Sequence, residues 1–197
     1  MHTILRYLTD FGDTAVTTPL AVLMLVCLAL TRQWRLALGW TTVVLGCIGT
    51  ISLLKLVLSV CGPIAIDGSL RSPSGHTAIG MVAYGGYAAL IGASISATAR
   101  RSLVIAAVVF ALGIAVSRVV LHFHSASEAV VGLIVGIAAL AVLYAIVVRH
   151  PPERLPLGWL GAMAALSFLL FYGDRWPAEQ ALHRFAAFFD ILRPFCT

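Results

Sequence analysis

Charge is what this sequence has least of. Only 11% of its 197 residues are Asp, Glu, Lys or Arg, while 60% are hydrophobic; a soluble domain keeps about a quarter of its residues charged. A surface wetted by water on every side is therefore excluded. Acids are scarcer than bases, 8 against 13, for a formal net charge of +5. In a soluble protein that balance would point to an anionic partner; in a chain this apolar the placement of the charges matters more than their sum, and no nucleic-acid partner is expected. The four cysteines show no metal-ligand spacing, which removes a structural zinc site. Cys27 and Cys47 sit inside apolar runs, where a small apolar packing role is the expectation. Residues 1–13 lack an apolar core followed by a small-residue cleavage site, so no cleavable signal is expected there. There is also no tandem repeat, low-complexity tract or long linker, which leaves a single domain over 1–197.

What is present in quantity is apolar sequence in long runs. A bilayer core of about 30 Å needs roughly 20 apolar residues per helix, within about 17–25. Six segments fit: 14–30, 36–60, 76–97, 102–121, 129–148 and, the shortest, 157–172. Polar or breaker-rich stretches separate them at 31–35, 61–75, 99–101, 122–128 and 149–156. Backbone exposed to lipid must satisfy its own hydrogen bonds, which selects helices, and the alternating pattern of a membrane β-barrel is missing. The expected fold is all-α, a six-transmembrane-helix bundle with short loops. Beyond Pro177, the residues Ala178, Ala181, Leu182, Phe185, Phe188, Phe189 and Leu192 recur at helical spacing opposite Glu179, Gln180, His183, Arg184 and Asp190. That pattern fits an amphipathic C-terminal helix, either lying in the membrane interface or packed on the end of the bundle. Gly132 and Gly136 form a small-xxx-small pair, expected to let two helices of this chain pack closely.

Six spans put the N-terminus, the 61–75 and 122–128 loops and the C-terminus on one side. The opposite side carries Arg32, Arg35, Arg100, Arg101, Arg149 and Arg154 against the single acid Glu153. The positive-inside rule then places the arginine-rich loops in the cytoplasm and both termini outside.

Titratable residues near a membrane core are expensive, so each is a functional candidate. Pro73-Ser74-Gly75-His76 opens the third span. A helix N-terminus offers unpaired N–H groups and a positive dipole end, Gly75 lets an anion approach the backbone, and His76 adds a proton donor. Alone, such a start is more often a simple cap. Ser117-Arg118 ends the fourth span, and an arginine fork suits phosphate oxygens. His124 and Glu128 are four apart, so on a helix they share a face; a carboxylate on one imidazole nitrogen leaves the other basic. Alone, these read as a loop arginine and a surface pair. Lys55 lies about a turn and a half inside the second span, placed either to snorkel or to hold a phosphate. Arg71 lies two residues before Pro73.

In order along the chain, Lys55, Pro63, Pro73-Ser74-Gly75-His76, and Ser117-Arg118 with His124 and Glu128 resemble the three-part signature of the type 2 phosphatidic acid phosphatase and haloperoxidase superfamily. The second part matches in full. The third matches in every spacing, with Glu128 where the family has Asp. In the first, Gly62 stands where the family has Arg. The resemblance covers 55–128, and the helix layout extends it over most of the chain. It implies that His124 is the nucleophile that forms a phosphohistidine, oriented by Glu128, and that His76 is the general acid. It also implies a phosphate cradle of Lys55, Arg118, Ser74 and Gly75, with no metal and no cofactor. Arg71 is then the residue expected to replace the missing arginine.

The activity this implies is metal-independent hydrolysis of a membrane lipid phosphate at the outer face of the plasma or bacterial inner membrane. Phosphatidic acid, phosphatidylglycerol phosphate, an isoprenoid pyrophosphate such as undecaprenyl pyrophosphate, and lipid A phosphate are all candidate substrates. Short loops leave little protein for a lid over a large headgroup. A phosphotransferase of the same family, and a non-catalytic lipid-binding or transport protein that retains the cradle, are the alternatives. Cys61 and Cys196 both fall on the outer side, where disulfides form; a bond between them would fold the tail over the site, and two free thiols are the alternative.

Overall fold

The structure, a computed structural model, describes residues 2–62 and 70–174. Over these residues the chain is helical: α1 (His2–Asp10), α2 (Thr14–Leu30), α3 (Trp34–Cys61), α4 (Gly75–Ala93), α5 (Ala97–Val120), α6 (Ala126–Arg149) and α7 (Leu157–Phe171). Four stretches, Thr3–Leu30, Trp34–Cys61, Ala97–Val120 and Ala126–Arg149, are long and apolar enough to cross a membrane, and Leu157–Phe171 is a shorter apolar helix. At 1.5 Å per residue the 19 residues of α4 reach about 28 Å, close to the hydrocarbon thickness. The result is the helical membrane bundle expected from the sequence. The amphipathic segment beyond Pro177 lies outside the described residues.

Short polar residues start the helices. Asp13, Ser74, Ser96 and Ser125 hold extended backbone and accept an N–H from the first turn of α2, α4, α5 and α6 respectively, as N-caps do. Two of these caps move helix starts earlier than the apolar pattern implies. Ser96 starts α5 at Ala97, which takes Arg100 and Arg101 into the helix, and the Arg100 guanidinium lies 5.3 Å from the centre of the Tyr144 ring. Ser125 starts α6 at Ala126 and makes Glu128 a first-turn residue rather than part of the loop.

Helix α4 is the centre of the bundle, packing on α3, α5 and α6. Its approach to α6 depends on glycine. A Cβ on Gly132 would lie 2.5 Å from the Ser74 carbonyl oxygen, and one on Gly136 would lie 2.9 Å from that of Ala78; only a bare backbone fits such gaps. The glycine pair therefore serves packing within the chain. On α2, the Ala21 carbonyl accepts the Trp40 indole N–H at 2.9 Å and the Leu20 carbonyl accepts the Tyr87 hydroxyl at 2.6 Å. Aromatic rings thus bury their faces while their polar tips are satisfied. The outward stripes run Leu38, Leu45 and Leu53 on α3 and Ile105, Val109, Leu112 and Val116 on α5, all exposed, as suits a protein whose outer solvent is hydrocarbon.

Helix α1 has no counterpart among the six expected spans. It packs on α5, with Leu8 Cδ2 3.2 Å from where a Gly113 Cβ would stand. The turn after it puts Phe11 against Phe110, Phe168 and Tyr172.

Candidate active site

The start of α2, the last turns of α3 and α5, and the first turns of α4 and α6 meet at one end of the bundle. How the α5–α6 connection is made determines where His124 stands. Leu121 caps α5, and His122 follows in the left-handed region at φ 58. The His122 N–H bonds the Val119 carbonyl at 3.0 Å, and the Phe123 N–H bonds that of Arg118 at 3.0 Å. This is a Schellman stop with histidine in place of the usual glycine. The His124 N–H also reaches the Arg118 carbonyl, at 3.2 Å. The nucleophile candidate is thereby fixed to the backbone of the arginine candidate.

Glu128 is the hub. It stands three residues after the cap Ser125 and completes a capping box: the Ser125 Oγ accepts the Glu128 N–H at 3.2 Å, and Glu128 Oε2 accepts the Ser125 N–H at 3.0 Å. The same Oε2 lies 2.9 Å from His124 Nδ1. Oε1 accepts the backbone N–H of Ser72 at 2.7 Å and of Arg71 at 3.1 Å, and the Glu128 carbonyl accepts the Ser74 N–H at 3.0 Å. One buried side chain thus caps α6, holds the loop before α4 and orients His124. The sequence pairing of His124 with Glu128 holds, but not as two residues on one helix face: His124 precedes the cap, and the carboxylate folds back to it. Glutamate is the residue that capping boxes select at this position, which accounts for Glu128 standing where the family pattern has Asp.

With Nδ1–H donated to Glu128, His124 keeps its Nε2 lone pair for an electrophile. Burial and the positive charges of Arg118 and Lys55 outweigh the Glu128 hydrogen bond and hold the His124 imidazolium below the usual histidine range, so the neutral, nucleophilic form persists to lower pH.

The other candidates surround it. Ser74 is fully buried, and its Oγ accepts both the Thr77 N–H at 3.4 Å and the Thr77 hydroxyl at 2.9 Å. Gly75 and His76 are the first two residues of α4, whose N–H groups have no acceptor inside the helix. Gly75 faces Ile51, one turn before Lys55 on α3, and Lys55 is half-buried. Arg118 is 9% exposed, donates from Nη1 to Thr9 Oγ1 at 3.3 Å, and lies 4.6 Å from the centre of the Phe123 ring. The charges of Arg118 and Lys55 are felt by both His76 and His124. Arg71 differs from the rest: its backbone is fixed on Glu128, but its side chain is exposed at the rim.

Two residues that the sequence reading did not single out also take part. Asp13 Oδ2 lies 3.3 Å from His76 Nε2, and Thr9 receives Arg118. An acid directly before an apolar span is the only signal for Asp13, and it reads as a helix cap. Cys61 is disulfide-bonded, while Cys27 and Cys47 are buried free thiols; Cys196, the partner that the sequence offers, lies outside the described residues. Among the described residues, no group of three His, Cys, Asp or Glu side chains is placed to hold a metal ion.

Comparison with known proteins adds two findings. A family model described as the PAP2 superfamily matches residues 36–152. An uncharacterized 22.5 kDa protein in the cps region of Klebsiella pneumoniae is 30% identical over 182 residues, covering 89% of this chain and 87% of that protein. No solved structure matches.

Proposed function

The chain belongs to the PAP2 superfamily, a family of phosphatases and phosphotransferases, and on that premise we propose that it hydrolyses a lipid phosphomonoester or pyrophosphate through a phosphohistidine on His124. The observation that carries this reading is the His124–Glu128 pair at 2.9 Å, set beside two cations and the N-terminus of α4. Phosphoryl transfer needs chiefly positioning and the spreading of charge over the equatorial oxygens. Arg118, Lys55 and the α4 N–H groups supply that charge. His124 Nε2 attacks phosphorus, and the leaving oxygen takes a proton from His76. Water then cleaves the P–N bond, returning His124 and releasing phosphate. Arg71, hinged at a fixed backbone, closes on the substrate phosphate from the rim.

Support for a lipid substrate comes from a cavity of about 320 Å³ between α2 and α3, lined by Thr14, Ala21, Val22, Leu45, Ile48 and Ile79 among others. Thr14 adjoins Asp13, and Ile79 lies one turn along α4 from His76. An apolar tail laid there would bring its phosphate end to the histidines. The Cys61 disulfide supports an outward-facing site, since such bonds persist in oxidising compartments.

The test is phosphate release from a panel of lipid phosphates by purified protein in detergent. Wild type is expected to be active and insensitive to EDTA, and His124→Ala and His76→Ala inactive but folded. Turnover in either variant, or EDTA inhibition reversed by zinc or magnesium, would refute the mechanism.

A further inference from the structure

Asp13 ends the turn between α1 and α2, and its two carboxylate oxygens are used differently. Oδ1 caps α2, accepting the Ala15 N–H at 2.9 Å. A cap needs no more than that. Oδ2 is turned to the third span instead, 3.3 Å from His76 Nε2, with the two side chains 10% and 24% exposed. The backbone around this pair is tight: a Cβ on Gly12 would fall 3.1 Å from His76 Cβ and 2.8 Å from Ile114 Cγ2. One turn earlier in α1, Thr9 takes the Arg118 guanidinium. The N-terminal segment thus touches a side chain from each of the two histidine-bearing motifs.

We infer that Asp13 is a positioning residue for His76: it holds Nε2–H, so that the proton delivered to the leaving oxygen is the one on Nδ1. The inference rests on the phosphatase reading. His124 Nε2 forms a bond to phosphorus, and the P–O bond breaks with its electron pair going to the leaving oxygen. That oxygen takes the Nδ1 proton, and His76 is left as a neutral imidazole still donating Nε2–H to Asp13. Attack of water on the phosphohistidine returns a proton to Nδ1. Asp13 keeps its charge throughout and offsets the imidazolium charge in a site that already holds Arg118 and Lys55.

A proton donor matters only when the leaving group needs one. An alkoxide leaves badly without a proton, whereas 4-nitrophenolate leaves unaided. The experiment compares kcat/KM, which reports the steps through loss of the leaving group, for an alkyl phosphate and for 4-nitrophenyl phosphate. The variant Asp13→Asn keeps a capping side chain and loses the charge; Asp13→Ser keeps the cap, removes the carboxyl group and serves if the first does not fold. The loss on the alkyl ester is expected to exceed that on the aryl ester at least tenfold. Equal losses on both, or no loss on either, would overturn the inference while leaving the phosphatase intact. Wild-type protein that cleaves neither the esters nor the lipid panel would overturn the phosphatase reading, and the role of Asp13 with it.

Discussion

At the scale of single residues the site is an exercise in giving each polar group several partners. His124 has its Nδ1 committed to Glu128, and its imidazolium is held below the ordinary range by burial and two nearby cations. On the proposed mechanism the attacking imidazole must be neutral, so activity falls as pH drops through the folded-state value. The acid limb of kcat/KM is therefore expected below about pH 6.5, the ordinary histidine value; a limb well above that would mean that Glu128 outweighs burial. Arg71 has the opposite character, a fixed backbone and an exposed side chain. Arg71→Ala is expected to lower kcat/KM by less than the about 2–4 kcal/mol that loss of one preorganised donor costs, because its exposed side chain has to be ordered on binding, and Arg71→Lys to restore only part, lacking the fork. Unchanged kcat/KM in Arg71→Ala would make it a bystander. The spacing of Lys55, Ser74, His76, Arg118, His124 and Glu128 was legible because each motif is local in sequence. Asp13 and Thr9 were not, because an acid before an apolar run carries no mark that separates a cap from a cap that also faces a histidine 63 residues away.

At the scale of elements, the apolar runs located every long helix, but the caps decided where α5 and α6 begin. Hydropathy cannot see a serine side chain bonded to the first turn, nor that Arg100 continues a helix by lying on Tyr144. Helix α1 escaped for a related reason: its nine residues are too short and too polar to read as a span, and they owe their place to packing on α5. The contact between α4 and α6 matters most for the site, because the Ser74 N–H to Glu128 carbonyl bond crosses it at 3.0 Å. Gly132→Ala would push a methyl group to 2.5 Å from the Ser74 oxygen and is expected to cost about 1–3 kcal/mol of stability, as overpacking does. Because the same shift draws Glu128 away from the loop before α4, kcat should fall as well. A variant with wild-type melting temperature and kcat would show that the helices separate without strain.

At the scale of the whole molecule, the site end and the arginine-bearing end face opposite ways. Phe123 and Arg154, both exposed, lie toward opposite ends of the chain's spans and report on orientation. In intact cells Phe123→Cys is expected to react with an impermeant maleimide, and Arg154→Cys only after permeabilisation; the reverse pattern would turn the protein over and put the site in the cytoplasm. The Glu128 hub has a bearing on how such an enzyme is made. A chain emerging into a membrane would place α1 to α5 first, and with them Lys55, Ser74, His76 and Arg118. None of these orients an imidazole for attack. The carboxylate that does so arrives with α6, and on arrival it also ties down the loop before α4. On the proposed mechanism, biogenesis would carry its own safety catch: a half-inserted or truncated copy would hold Lys55, Ser74 and Arg118 without an oriented His124, and would stay inactive until the bundle is closed.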